Sequence, residues 1–157
     1  RLGGPGRFTT LLRASGDSVT RLDRLEPDMN LVVPGDERDT TTPRAMAESA
    51  ARFLAGSLLT TTSRERLIGW MVATTSGAKR IRAGLPAGWK AGDKTGTGLS
   101  DAMTDKYNDV ALAWPPGRAP MIVAAYFDTA TRSSEMRERI PAPPGGCHQC
   151  WTSPSSN

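Results

Sequence analysis

The sequence predicts an α+β chain in which helices and a long ordered loop precede a three-strand antiparallel meander. Three observations carry this. Apolar residues recur at helical spacing through the first half. From Trp89 onward the period shortens to the alternation of strands. A Pro115-Pro116-Gly117 turn separates the last two strand-like runs. Helices grouped before strands, rather than alternating with them, favour α+β over a parallel α/β sheet.

Leu2 to Gly16 reads as the end of a helical region, with Phe8, Leu11 and Leu12 at helical spacing. Pro5 suits its first turn and Gly16 its C-terminus. A second helix starts at Thr42-Pro43, carries Met46, Ala50, Phe53 and Leu54 on one face, and ends at Gly56. A third follows the Thr60 to Ser63 capping cluster, with Leu67, Trp70, Met71 and Thr74 on its buried side and Gly77 as its stop. Trp89 to Thr97 reads as a strand. Val110, Leu112 and Trp114 alternate with Asp109, Ala111 and Ala113, as in a half-buried strand. Met121 to Phe127 is a continuous apolar run and reads as a buried strand. No internal repeat is present.

Arg21 to Asp39 fits none of these periods. It holds two prolines, a glycine and mixed charge, and it is long for a connection without structure of its own. Its apolar members, Leu22, Leu25, Met29, Leu31, Val32 and Val33, suit an ordered Ω-type loop. The carboxylate it could hold is Glu26, followed by Pro27, with Asn30 four residues on. A carboxylate beside an amide can hold a water and take its proton. Arg24 and Asp39 could pair and close the neck.

Asp93 to Gly98 reads D-K-T-G-T-G. Lys-Thr-Gly on a strand is expected to put an ammonium and a hydroxyl on one face, and the glycine lets a ligand approach the backbone.

At 157 residues the chain is long enough for one domain with a real core. Twenty Lys and Arg against sixteen Asp and Glu give a net charge of +4, but the signs are interleaved. That argues against a nucleic-acid partner. No apolar run reaches membrane-spanning length, so no membrane partner is expected. The chain opens on Arg1 without a signal peptide, which suggests a fragment or a processed product. Both cysteines lie in Cys147-His148-Gln149-Cys150. A structural zinc site takes four ligands, and this tail offers two thiols and the only histidine, so no metal and no cofactor are assigned.

Together and in this order, R-x-E-P-x-x-N, P-G-D-E-R-D-T-T-T-P and D-K-T-G-T-G resemble the class A β-lactamases, from about Leu2 to about Arg132. The resemblance implies a β-lactamase/transpeptidase-like fold, here partial, with residues 1–140 as its C-terminal part. It implies hydrolysis of a β-lactam through a serine acyl-enzyme. By resemblance, Glu26 activates the deacylating water, Asn30 helps hold it, and the Glu26–Pro27 bond is cis. Lys94 and Thr95 bind the substrate carboxylate, Gly96 gives access, and the N–H of Thr97 is one half of the oxyanion hole. Many members carry a supporting arginine on the strand after Lys-Thr-Gly. Arg118 to Met121 would put Met121 at that spot, and Arg80 matches an upstream arginine that some members use instead. The family is secreted or periplasmic and typically monomeric.

The family's Ser-x-x-Lys and Ser-Asp-Asn would lie upstream of the Glu26 loop, and this sequence begins after both. Ser76-Gly77-Ala78-Lys79 spells the first, but it follows the loop and contains a helix breaker. Ser100-Asp101-Ala102 lacks the asparagine and follows Lys-Thr-Gly. The expectation is a chain inactive by itself, dependent on an N-terminal half, with exposed edges prone to aggregate. The alternatives are a non-catalytic β-lactam-binding or complementation fragment and a penicillin-binding transpeptidase relative. The Pro-rich stretch 141–157 departs from the long closing helix of the family.

Overall fold

A computed structural model describes residues 3–100 and 103–129. The Ser133 to Ile140 segment, the 141–157 tail with its cysteines, and Asp101-Ala102 lie outside the described residues. The architecture is the expected α+β one, with three α-helices followed by a three-strand sheet. Helix α1 spans Pro5–Ala14, α2 Pro43–Leu54 and α3 Thr61–Ala73. Strands β1 (Lys90–Gly98), β2 (Asp105–Trp114) and β3 (Met121–Thr129) pair antiparallel in chain order.

The local signals for the helices are visible in their ends. Pro5 occupies the first turn of α1. Thr42 Oγ1 accepts the Ala45 N–H at 3.1 Å ahead of Pro43, and Thr60 Oγ1 accepts the Ser63 N–H at 3.3 Å. Each hydroxyl satisfies a donor that has no partner inside its helix. Helices α2 and α3 pack on one face of the sheet. Leu54, Met71 and Leu112 form the centre of this core, flanked by Ala50, Leu67, Ile68, Trp114 and Ile122.

Three packing expectations change, and the first is β3, where only Val123 is buried and Phe127 is 56% exposed. Trp70 is 66% exposed, not buried. A helix turns about 100° per residue, and the stripe on the sheet is centred on Met71 between Leu67 and Ile68, which leaves Trp70 to one side. Thr74 already lies beyond the helix in extended backbone. Strand β2 is not half-buried: Ala111 and Ala113 are as enclosed as Leu112. It is the central strand, and its second face is covered by the short 3-10 helix Ile81–Gly84 and the turn before it.

Gly77 does not stop α3, which ends at Ala73. It sits in the turn between α3 and the 3-10 helix, where a Cβ would fall 1.6 Å from Asp93 Oδ2. The glycine is needed because the turn lies directly on a buried carboxylate of β1.

Candidate active site

The long loop between α1 and α2 is tied at its neck by polar groups. Arg24 Nε donates to Asp39 Oδ2 at 2.6 Å. Asp39 Oδ1 accepts the N–H groups of Asp23 and Arg24 at 2.6 and 2.9 Å, and the Asp39 N–H donates to Asp23 Oδ2 at 2.9 Å. Arg21 N–H to the Thr40 carbonyl, at 3.0 Å, runs across the same closure. Burial raises the Asp39 carboxyl, but these donors outweigh it and hold the group below its ordinary value. Arg38 likewise depresses Asp36, and Arg21 depresses Asp23. Beneath the neck, buried Asp17 accepts the Val19 and Thr20 N–H groups and Ser49 Oγ, which together overcome desolvation and lower it to about 2.

Glu26 and Asn30 sit at the exposed outer part of this loop. The Glu26–Pro27 bond is cis, and Asp28–Asn30 form one 3-10 turn. The loop reaches the sheet through Val32, whose N–H points at Met103 Sδ at 3.3 Å. Met103 is buried in the β1–β2 connection, within contact of Gly98 at the end of β1. A thioether therefore links the carboxylate-bearing loop to the Lys-Thr-Gly strand.

On β1, Lys94, Gly96 and Thr97 are exposed and Thr95 is half-buried. Lys94 Nζ donates to the Thr95 carbonyl at 2.5 Å. A Cβ at Gly96 would meet only ordinary contacts with Asn108, so the strand surface there is open. Arg80 arrives from the turn after α3. Its guanidinium donates to the Gly96 carbonyl at 2.9 Å, to the Asn108 carbonyl at 2.5 Å and to Thr97 Oγ1, and it stacks 5.7 Å above the Tyr107 ring. An anion approaching Thr95 to Thr97 meets two cations and two hydroxyls.

The register corrects one expectation. The strand after Lys-Thr-Gly is β2, and the residue opposite Thr97 is Tyr107. Met121 opens β3 at the far end, opposite Ala113. Arg80 reaches the same place from the turn after α3, lying over the Tyr107 ring.

Sequence reasoning missed three contributors. Ser76 is no nucleophile-like helix start: it lies in the turn, and its Oγ is 2.9 Å from Thr95 Oγ1. That contact depends on how the turn docks, which no local pattern encodes. Met103 is equally invisible in sequence. Asp109 did carry a signal, as a charge at the head of the apolar run Val110 to Trp114.

A model of the Beta-lactamase enzyme family matches residues 1–142. Beta-lactamase AST-1 of Nocardia asteroides is 49% identical over 134 residues, 85% of this chain and 42% of that protein. Beta-lactamase CTX-M-8 of Citrobacter amalonaticus is 48% identical over 139 residues, 88% of this chain and 46% of that protein. A class A β-lactamase reconstructed as the last common ancestor of Gram-negative bacteria superposes with a TM-score of 0.78 at 48% identity, over 90% of this chain and 52% of that one. A Xanthomonas campestris β-lactamase gives 0.76 at 47%, over 87% and 50%. The chain thus spans less than half the length of these curated relatives.

Proposed function

Since the chain belongs to the class A β-lactamase family, we propose that it carries the deacylation and substrate-carboxylate half of a β-lactam-hydrolysing site. The observation that carries this reading is the cationic, hydroxyl-lined surface of β1, where Arg80, Thr97, Ser76 and Thr95 converge. The carboxylate of a bicyclic β-lactam would lie against Lys94, Thr95 and Arg80. The carbonyl oxygen would turn toward the Thr97 N–H, where negative charge develops on acylation. Glu26, with Asn30 holding the water, would draw the proton from the nucleophile that cleaves the ester. The acylating serine would come from a polypeptide equivalent to the N-terminal part of the relatives. In this reading the site works outside the cytoplasm, where β-lactams act. Among the described residues, no helix is long and apolar enough to cross a membrane.

The test is hydrolysis of a chromogenic cephalosporin by the purified chain, alone and mixed with the N-terminal part of a relative such as CTX-M-8. No turnover alone, and turnover on mixing that disappears with Glu26→Gln, is the expected result. Turnover by the chain alone, or stoichiometric acylation by penicillin without partner, would overturn the division of labour.

A further inference from the structure

Directly behind the surface that holds Arg80 lie two carboxyl groups that the reading above does not use. Asp93 and Asp109 are 0% and 3% exposed. They sit on neighbouring strands and on one face, since Asp109 is opposite Thr95 and Asp93 opposite Ala111. Their side chains are within hydrogen-bonding reach of each other. Two buried carboxylates that touch repel strongly, and a proton between them removes the repulsion.

The surroundings favour that solution. Both oxygens of Asp93 and Oδ1 of Asp109 lack a protein hydrogen-bond donor, while Asp109 Oδ2 accepts the Ile81 N–H at 3.0 Å. The charged groups facing the pair are Arg82, whose Nε forms an ion pair with Asp93 Oδ1 without hydrogen-bond alignment, and Arg80. From β3, this face receives Val123, Ala125 and Phe127, none of them charged. A proton on Asp109 would give Asp93 its missing donor. Burial, reinforced by Asp93, raises the Asp109 carboxyl to about 6 against the pull of the Ile81 N–H and Arg80.

The cluster also holds the segment that carries the site. Gly77 lies on Asp93, Ile81 on Asp109, and Arg82 spans Asp93 and the Thr74 carbonyl. Between these anchors stand Ser76 and Arg80, which reach Thr95, Gly96 and Thr97. We propose that Asp93 and Asp109 share one proton and act as a single positioning unit, clamping the Ser76 to Arg80 turn onto β1. The unit belongs to this chain's own residues and stands whether or not the chain meets a β-lactam.

The experiment is a titration of the full chain from pH 4 to 8, following the Asp side-chain carbons by NMR together with the Ile81 and Thr97 amides and the Arg80 Nε–H. The Asp109 carbon and all three nitrogen-bound protons should move with one midpoint, about two pH units above an ordinary aspartate. Asp93→Asn should lower the Asp109 midpoint by at least one unit, because a like charge is gone. Asp109→Asn, a neutral donor of the same shape, should abolish the titration of Ile81 and Thr97, and it keeps the test available if Asp93→Asn does not fold. An Asp109 midpoint near 4 in the native chain overturns the shared proton. An unchanged midpoint in Asp93→Asn assigns the shift to burial alone and overturns the pair. Still signals from Arg80 and Thr97 while Asp109 titrates overturn the clamp.

Discussion

The long loop between α1 and α2 and the sheet with its docked turn are stabilised in opposite ways. No residue from Arg21 to Thr40 is buried, and the loop is held by arginines and backbone N–H groups placed around carboxylates. The sheet is held by its ladder and by Leu54, Met71 and Leu112. Two of its carboxylates, Asp93 and Asp109, are enclosed rather than ringed by donors. Asp39 is therefore held below its ordinary value in the loop, whereas burial raises Asp109 in the sheet. Loop order depends on a few directional bonds, whereas sheet order depends on area removed from water.

The largest effect should come from the sheet. Leu112→Ala, at the 2%-exposed centre of the core, should cost about 3–5 kcal/mol. For a chain this small that is most of its stability. Urea denaturation followed by far-UV circular dichroism should show the midpoint collapse. A loss under about 1 kcal/mol would place the core elsewhere.

The pH profile separates the regions next. Asp109 has its folded value raised to about 6 from 3.8, so its contribution is full below about 4 and is lost as pH rises through about 6. On the order of 3 kcal/mol is at stake. Asp17 runs the other way: lowered to about 2, its contribution is full above about 4 and is lost as pH falls toward 2. That loss is on the order of 2 kcal/mol. These two groups therefore favour a stability maximum at about pH 4, where both contributions are nearly full. Urea midpoints across pH 3 to 8 should fall on both sides, and Asp109→Asn should flatten the alkaline side only. An alkaline limb unchanged in that variant would refute the assignment.

Asp39→Ala should cost about 2 kcal/mol and spend it locally. It removes the acceptor of two N–H groups and of Arg24, at a position whose φ of 56° a non-glycine residue adopts at some cost. Limited proteolysis should then cut within 21–40 while hydrogen exchange in β2 stays slow. Uniform loss of protection would mean that loop and sheet unfold as one unit.

How far the sequence reached follows the same division. Helix starts were legible because Thr42-Pro43 and the Thr60 cluster act within one turn. Strands were legible from period, and the Arg24 and Asp39 charges flank the loop in plain view. The second covered face of β2 was not, because alanines at 111 and 113 are as compatible with solvent as with a tight contact. Nor was the partner of Thr97. It depends on the length of the β1–β2 connection, which sets Tyr107 opposite it and leaves Arg80 to cross from another element.

The smallest effect tests the clearest miss. Trp70 falls at the right spacing for the α3 core stripe, yet it is 66% exposed while Met71 is buried. Three-residue spacing places side chains on neighbouring, not identical, lines of a helix, so a stripe centred on Met71 can exclude it. Trp70→Gln should therefore shift the stability of this chain by less than about 0.5 kcal/mol. Met71→Ala, one residue on, should cost about 2–3 kcal/mol. The same urea titration measures both. If Trp70→Gln costs as much as Met71→Ala, the helix is rotated on the sheet, and Gly92, which lies against the Met71 and Val72 backbone, would have to move with it.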